Sequence, residues 1–464
     1  MIEPTRGGGG AGSDFGGVGG RAMSALPLGW SSSKLGEVTD LEMGQAPAGS
    51  ACNTNGQGTV FVKAGEFGAT YPIIREWTTK PLKFAREGDI LICVVGATAG
   101  KLNLGIDCAI GRSVAAIRPR SPEMQKTIYG QLKLQVMTLR ADSTGSAQGV
   151  ISKQMLSDID IVVPPLQEQK RIADKLDSVL TRVDAVNTRL ARVAPLLKRF
   201  RQSVLSAAVN GGLITEASLS SPKNWRSVTL GDLIEDGPKN GLYKPSSAYG
   251  AGVRILRIDS FYDGKVSDWA SLRLLSIDSS ELKQFGLMNG DLVINRVNSI
   301  EYLGKCALVE GLQGECVFES NMMRFRLSPR LANPRFIRTW LCSEAARTQI
   351  VAKAKHAVNQ ASINQSDVCG LKLQLPPLSE QTEIVRRVET LFAFADRLEA
   401  RLAQAQTAAT RLTPALLAKA FRGELVPQDP NDEPAAELLR RLQAERATAP
   451  KASAGRGRKA VVQV

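Results

Sequence analysis

Histidine is almost missing from this 464-residue chain, and His356 is its only example. A Ser-His-Asp triad and a multi-histidine metal centre both lose their support, because His356 has no partner cluster around it and reads as a surface or helix-end residue. Seven cysteines (52, 93, 108, 306, 316, 342 and 369) never form a CxxC pair, which removes thiolate zinc sites. They read as reduced, partly buried thiols of a cytoplasmic protein. No apolar run approaches the roughly 20 residues of a membrane helix, and no secretory signal opens the sequence. A membrane is therefore not expected as a partner.

What the chain does have is basic charge: 59 Lys plus Arg against 45 Asp plus Glu, a net +14. That excess favours a polyanionic partner, nucleic acid first. Hydrophobic residues at 43% and charged residues at 22% describe a globular chain, and its length suits two to four domains.

The chain also repeats itself. Pro164-Pro165-Leu166-Gln167-Glu168-Gln169 returns 212 residues later as Pro376-Pro377-Leu378-Ser379-Glu380-Gln381. The offset holds without a gap to Leu213, with fifteen identities that include Ile172/Ile384, Asp184/Asp396, Leu205/Leu417 and Gly211/Gly423. Upstream the likeness continues with drifting spacing. Gly29-Trp30 answers Asn224-Trp225, Gly88-Asp89-Ile90 answers Gly290-Asp291-Leu292, Gly100-Lys101 answers Gly304-Lys305, and Gln148-x-x-Ile151 answers Gln360-x-x-Ile363. Two variable modules on one common frame account for this contrast.

The frame is helical. Ile172, Leu176, Val179, Val183, Val186 and Leu190, and in the second copy Ile384, Val388, Leu391, Leu398 and Leu402, lie on a 4-3 spacing, which predicts a coiled-coil seam. Each Pro-Pro is a start signal, and Gly211-Gly212 and Gly423 are stop signals. Pro195 and Pro414 predict kinks. Two seams in register favour mutual, antiparallel pairing. The modules read as mixed α/β, with strands at 60–63, 90–95, 113–118 and 160–163, then at 254–258, 292–297, 322–327 and 372–375. Helices are expected over 122–138 and 334–351.

These readings divide the chain into a disordered Gly-rich leader (1–22), a first module (23–163), a central helix (164–213), a second module (214–375), a second helix (376–426), a turn and short helix (427–445) and a disordered basic tail (446–464). Nine of the sixteen residues from Arg6 to Arg21 are Gly, and Met23 is the expected biological start.

The familiar catalytic patterns fail. Gly96-Ala97-Thr98-Ala99-Gly100-Lys101 lacks the earlier Gly and the following Ser or Thr of a phosphate loop, so a tight turn is the plainer reading. Neither Pro-Pro pair is followed by an aromatic residue, as base amino-methylation requires. Asp158 and Asp160 read as solvated strand-entry carboxylates. The candidates left are DNA contacts: Lys101, Arg112, Lys153, Arg296, Lys305, Lys355 and Asn359, each balanced against ordinary solvated surface. Ser152 and Asn364 read as helix caps. Two related modules on a paired helical spacer suit a two-part target, and DNA has the matching approximate dyad. The competing class is a coiled-coil scaffold with two protein- or glycan-binding modules.

The residues resemble the specificity subunit of type I restriction–modification enzymes over about residues 24 to 445. The marks are Leu26-Pro27-x-Gly29-Trp30, Leu35-Gly36-Glu37, Gly88-Asp89-Ile90-Leu91-Ile92, Gly100-Lys101, Pro164-Pro165-Leu166-x-Glu168-Gln169-x-x-Ile172, their second copies, Phe421-Arg422-Gly423-Glu424-Leu425, and Asp432-Glu433-Pro434-Ala435. The first copy departs at Asn210-Gly211-Gly212-Leu213. The resemblance implies a mixed α/β fold in which two target-recognition domains are separated by two long antiparallel helices. It implies reading of a bipartite, asymmetric double-stranded DNA sequence by a subunit without its own active site. The partners implied are two methyltransferase subunits, which bind S-adenosylmethionine and methylate adenine, and an ATP-driven, Mg-dependent restriction endonuclease subunit. No cofactor is expected on this chain.

Overall fold

The computed structural model describes residues 26–143, 150–214, 225–357 and 360–448. The expected leader, the Met23 start, Asn359 and the basic tail beyond Thr448 fall outside them, while residues 446–448, expected to be disordered, continue the helix Ala435–Thr448. The described chain forms two compact units, one running to Thr188 and resuming at Gln406, the other spanning Arg189–Ala405.

In the first unit, Ile90–Cys93 is four residues of unbroken apolar chain because both of its faces are covered. Ile90 and Ile92 point with Ala115 and Ile117 toward Met124, Ile128 and Leu132 of the helix Met124–Ser143. Leu91 and Cys93 point with Val114 and Ala116 toward Val62 and Ile110. The four-stranded antiparallel sheet runs Thr39–Met43, Val114–Pro119, Ile90–Cys93, Leu102–Leu104. A five-stranded sheet contains one parallel pair, Thr59–Val62 with Cys108–Ile110. The helix Ala435–Thr448 closes this core with Ala435, Leu438 and Leu442.

The second unit repeats the plan. Leu292–Asn295 lies between Met322–Leu327 and Cys306–Leu308, antiparallel to both, in a six-stranded sheet. Leu292 and Ile294 face Phe336, Ile337 and Trp340, while Val293 faces Leu256 and Phe318. The parallel pair returns as Tyr249–Leu256 with Cys316–Phe318. Two strand expectations shorten here: 90–95 stops at Cys93, and 292–297 breaks into Leu292–Asn295 and Val297–Asn298. The helix expected over 334–351 is two helices, Pro334–Leu341 and Glu344–Lys353, because the Ser343 hydroxyl caps the second by accepting from Ala346 N–H.

The two long helices are Leu166–Val209, of 44 residues, and Leu378–Ala420, of 43, and both continue through their prolines. Each begins just after its Pro-Pro, where Gln169 Nε2 donates to Pro164 O and Gln381 Nε2 to Pro376 O. They end before Gly211 and Gly423, whose φ values of +77° and +75° suit glycine. In the first unit, Ile172 and Leu176 near the start of one helix pack with Leu417 and Ala420 at the end of the other. In the second, Val204 and Ala208 pack with Ile384 and Val388. Within each unit the helices are antiparallel. Val183 and Leu402 are buried, and Val179, Leu190, Leu391 and Leu398 are partly so. Val186, at the same heptad spacing, is 44% exposed.

Candidate nucleic-acid interface

Each module is tied to its helix by the same contacts. The strand Ser31–Lys34 pairs antiparallel with Asp160–Val163, and Arg226–Thr229 with Lys372–Leu375. Trp30 Nε1 donates to Glu168 Oε2, and Trp225 Nε1 to Glu380 Oε2. The Trp and Glu of each landmark are visible in sequence; that they bond is not, because 138 residues separate the first pair.

The candidate contacts collect at the end of the central strand of each module. In the first, Cys93 N–H donates to Lys101 O, Val94 N–H to Ser113 O, and Ile151 N–H to Val94 O. That brings the turns carrying Lys101 and Arg112 and the helix starting at Lys153 to one place. The second module repeats the bonds: Asn295 N–H to Lys305 O, Arg296 N–H to Asn321 O, and Ile363 N–H to Arg296 O. Lys355 joins there on a three-stranded sheet of Val297–Asn298, Gln360–Ser362 and Lys355–Ala357. Val94 and Arg296 thus hold equivalent positions, one apolar and one cationic.

The individual side chains differ in freedom. Arg112, Lys153 and Lys355 are exposed. Arg296 Nη1 donates to Ser320 O at 3.1 Å. Lys101 Nζ donates to Phe67 O at 2.6 Å, and Lys305 Nζ to Ile258 O at 3.0 Å. Burial lowers the Lys305 ammonium below the ordinary lysine value. Ser152 and Asn364 accept from Met155 N–H and Asp367 N–H, capping short helices. His356 is exposed on its strand.

At the opposite end of each central strand, the turn that leads into it is braced by a buried aspartate. Asp89 accepts from Arg86 N–H and from Arg118 Nε and Nη2, the latter two at 2.9 and 2.7 Å. Asp291 accepts from Met288 N–H and Arg326 Nε, each at 2.8 Å. Beside the second site lies a cleft lined by Arg257, Ser260, Ser267, Ser271 and Arg273, with Asp259 and Asp268. Residues that sequence reasoning missed include the half-exposed Tyr71, Tyr262 and Tyr302. Among the described residues, no group of three or more His, Cys, Asp or Glu could hold a metal, and no helix is long and apolar enough to cross a membrane.

The profile of the type I restriction modification DNA specificity domain matches residues 27–194 and again 222–406. The chain is 35% identical over 368 residues to the type I restriction enzyme EcoKI specificity subunit of Escherichia coli K12, spanning 76% of this chain and 78% of that one. It is 36% identical over 375 residues to the StySPI specificity subunit of Salmonella potsdam, with the same shares. Among solved structures, a chain from a study of type I R-M complex assembly and conformational transition superposes with a TM-score of 0.68 at 20% identity, covering 87% of this chain and all of that one. The HsdS subunit of Thermoanaerobacter tengcongensis superposes with a TM-score of 0.53, also at 20% identity, covering 86% and 98%. Those two likenesses share the fold: mixed α/β, two domains and long helices. With two copies of the matching domain joined in sequence by a 44-residue helix, this chain belongs to the specificity subunits of type I restriction–modification systems.

Proposed function

We propose that the two domains read the two unlike halves of one split DNA sequence, and that this chain carries no active site of its own. The observation that supports this is the duplicated junction at the ends of Ile90–Cys93 and Leu292–Asn295: the backbone bonds are the same and the exposed side chains differ. A shared scaffold with different residues at its tip is what a reader of an asymmetric target needs, since base edges are distinguished by side chains and not by backbone. The net +14 charge supplies affinity for phosphate irrespective of sequence.

In this reading the paired helices dock two methyltransferase subunits, and a restriction subunit joins them in the cytoplasm. S-adenosylmethionine, ATP and Mg belong to those partners. Arg112, Lys153, Arg296, Lys355 and Asn359 are the proposed DNA-side residues, and Lys101 and Lys305 support the turns beside them. The test is methylation by this chain purified with a methyltransferase partner. One split sequence should be protected, with affinity falling steeply as salt rises. Protection scattered over unrelated sequences, or salt-insensitive binding, overturns the reading.

A further inference from the structure

Both Gly-Lys turns place their lysine in the same unusual way. Lys101 and Lys305 are half-buried, and each ammonium donates to one backbone carbonyl, Phe67 O and Ile258 O. Four residues beyond each accepting carbonyl stands a half-exposed tyrosine: Tyr71 at 54% and Tyr262 at 55%. The two segments are equivalent by topology. Each follows the strand of the parallel pair, Thr59–Val62 in one module and Tyr249–Leu256 in the other. Each then runs beside the strand that the lysine turn leads into: Leu104 N–H donates to Thr70 O, and Gly264 is in register with Ala307.

In the second module the tether is tighter still. The Lys305 ammonium lies 3.8 Å from the centre of the Tyr262 ring, 4.8 Å from that of Phe261 and 5.8 Å from that of Tyr302. A cation against a ring face fixes the ring's tilt. Single exposed tyrosines are common and need no explanation. A tyrosine at the same offset from the same half-buried lysine tether in both modules does need one.

We propose that Tyr71 and Tyr262 are the corresponding base-contacting residues of the two domains, and that Lys101 and Lys305 are positioning residues that hold their segments from beneath. The inference rests on the DNA-reading function proposed above. Tyrosine has the chemistry for base contact. Its ring offers an apolar face to a base or a thymine methyl, its hydroxyl both donates and accepts at a base edge, and it has few rotamers to order. The surroundings of the two rings differ. Ile73 and Ile74 are exposed after Tyr71, whereas Tyr302 is exposed beside the ammonium that Tyr262 covers. One shared anchor with unlike neighbours fits two unlike half-sites.

The experiment uses the complex of this chain with its methyltransferase partner. It measures methylation rates on the split target and on duplexes with single base-pair changes in either half. Tyr71→Ala should lower kcat/KM on the target roughly 5- to 150-fold and flatten discrimination in one half only. Tyr262→Ala should do the same in the other half only. Tyr71→Phe and Tyr262→Phe, which keep the packing, should show a smaller loss with the same half-site pattern. Lys305→Met should raise KM while co-purification with the partner is unchanged, and Lys305→Arg, which can still donate to Ile258 O, should restore much of the loss. Unchanged discrimination in all four tyrosine variants, or an equal loss in both halves, overturns the inference. If the wild-type complex itself protects no split sequence, the proposed function fails first. If it does and the tyrosine variants match it, only this inference fails.

Discussion

The indole N–H of Trp30 donates to Glu168 at 2.8 Å, and Glu168 is buried with its second oxygen lacking a hydrogen-bond partner among the described residues. Burial pushes this carboxyl above the usual 4.5, and the indole N–H pulls it back down. Trp30→Phe removes the donor and should cost about 1.5–3 kcal/mol near neutral pH. A raised native value means that the folded state holds a proton the unfolded state releases, so stability falls as pH rises through that window. The Trp30→Phe penalty should therefore shrink toward pH 5 and be largest at pH 8, as read by urea unfolding at both. Equal penalties would mean that Glu168 is not the titrating group.

Arg171 forms a bidentate pair with Asp432, at 2.5 Å for the shorter bond. The residue 212 positions beyond Arg171 is Glu383, a reversed charge, and it pairs instead with Arg386 and Arg387. A carboxylate at the equivalent position of the second helix cannot make the pair that Arg171 makes with the segment leading to Ala435–Thr448. Arg171→Glu should speed limited proteolysis around residues 427–434, and adding Asp432→Arg should slow it again. Unchanged cleavage would assign docking to Ala435, Leu438 and Leu442 alone.

Asp89 is fully buried and Arg118 is its main ionic partner. Arg118→Met leaves a buried carboxylate with only backbone support and should cost about 3 kcal/mol or more. Pairing it with Asp89→Asn should recover part of that loss in a double-mutant cycle of chemical unfolding. Additive losses would mean that the pair is not coupled.

Lys239, and then Arg324, hold the Asp236 carboxyl down at about 2. A depressed acid stabilises the fold above its unfolded value and loses that contribution as pH falls from 3.8 toward 2. Asp236→Asn should flatten acid unfolding across that window, followed by circular dichroism. An acid transition as steep as the parent's would assign the loss of stability to other carboxylates.

The helix seam is uneven. Leu176 is 6% exposed and packs with Ile172 and Leu417, whereas Val186 is 44% exposed. Leu176→Ala should cost about 2–5 kcal/mol, and Val186→Ala about 0.5 kcal/mol or less, by denaturant midpoint. Equal costs would restore Val186 to the seam.

Much of this protein was legible in its letters because the signals are periodic or repeated. The 212-residue offset, the 4-3 spacing and the Pro-Pro and Gly boundaries located both long helices to within a few residues, since such signals act over one helical turn. The apolar runs at Ile90 and Leu292 marked strands, and the fold then covered both faces of each. The Gly-Lys turns were visible as a pair, as was the lack of familiar catalytic patterns.

Only the tertiary structure decided what those residues do. The sequence marks Lys101 and Lys305 as cations, which suggests phosphate; the fold gives each ammonium a carbonyl, at Phe67 and Ile258, that lies 34 and 47 residues away. Trp30 and Glu168 bond for the same kind of reason, and Tyr71 and Tyr262 emerge as equivalent although the alignment around them drifts. Helix and strand follow from patterns spanning a few residues. A hydrogen-bond partner depends on where distant segments are brought by packing, and nothing in local spacing records it.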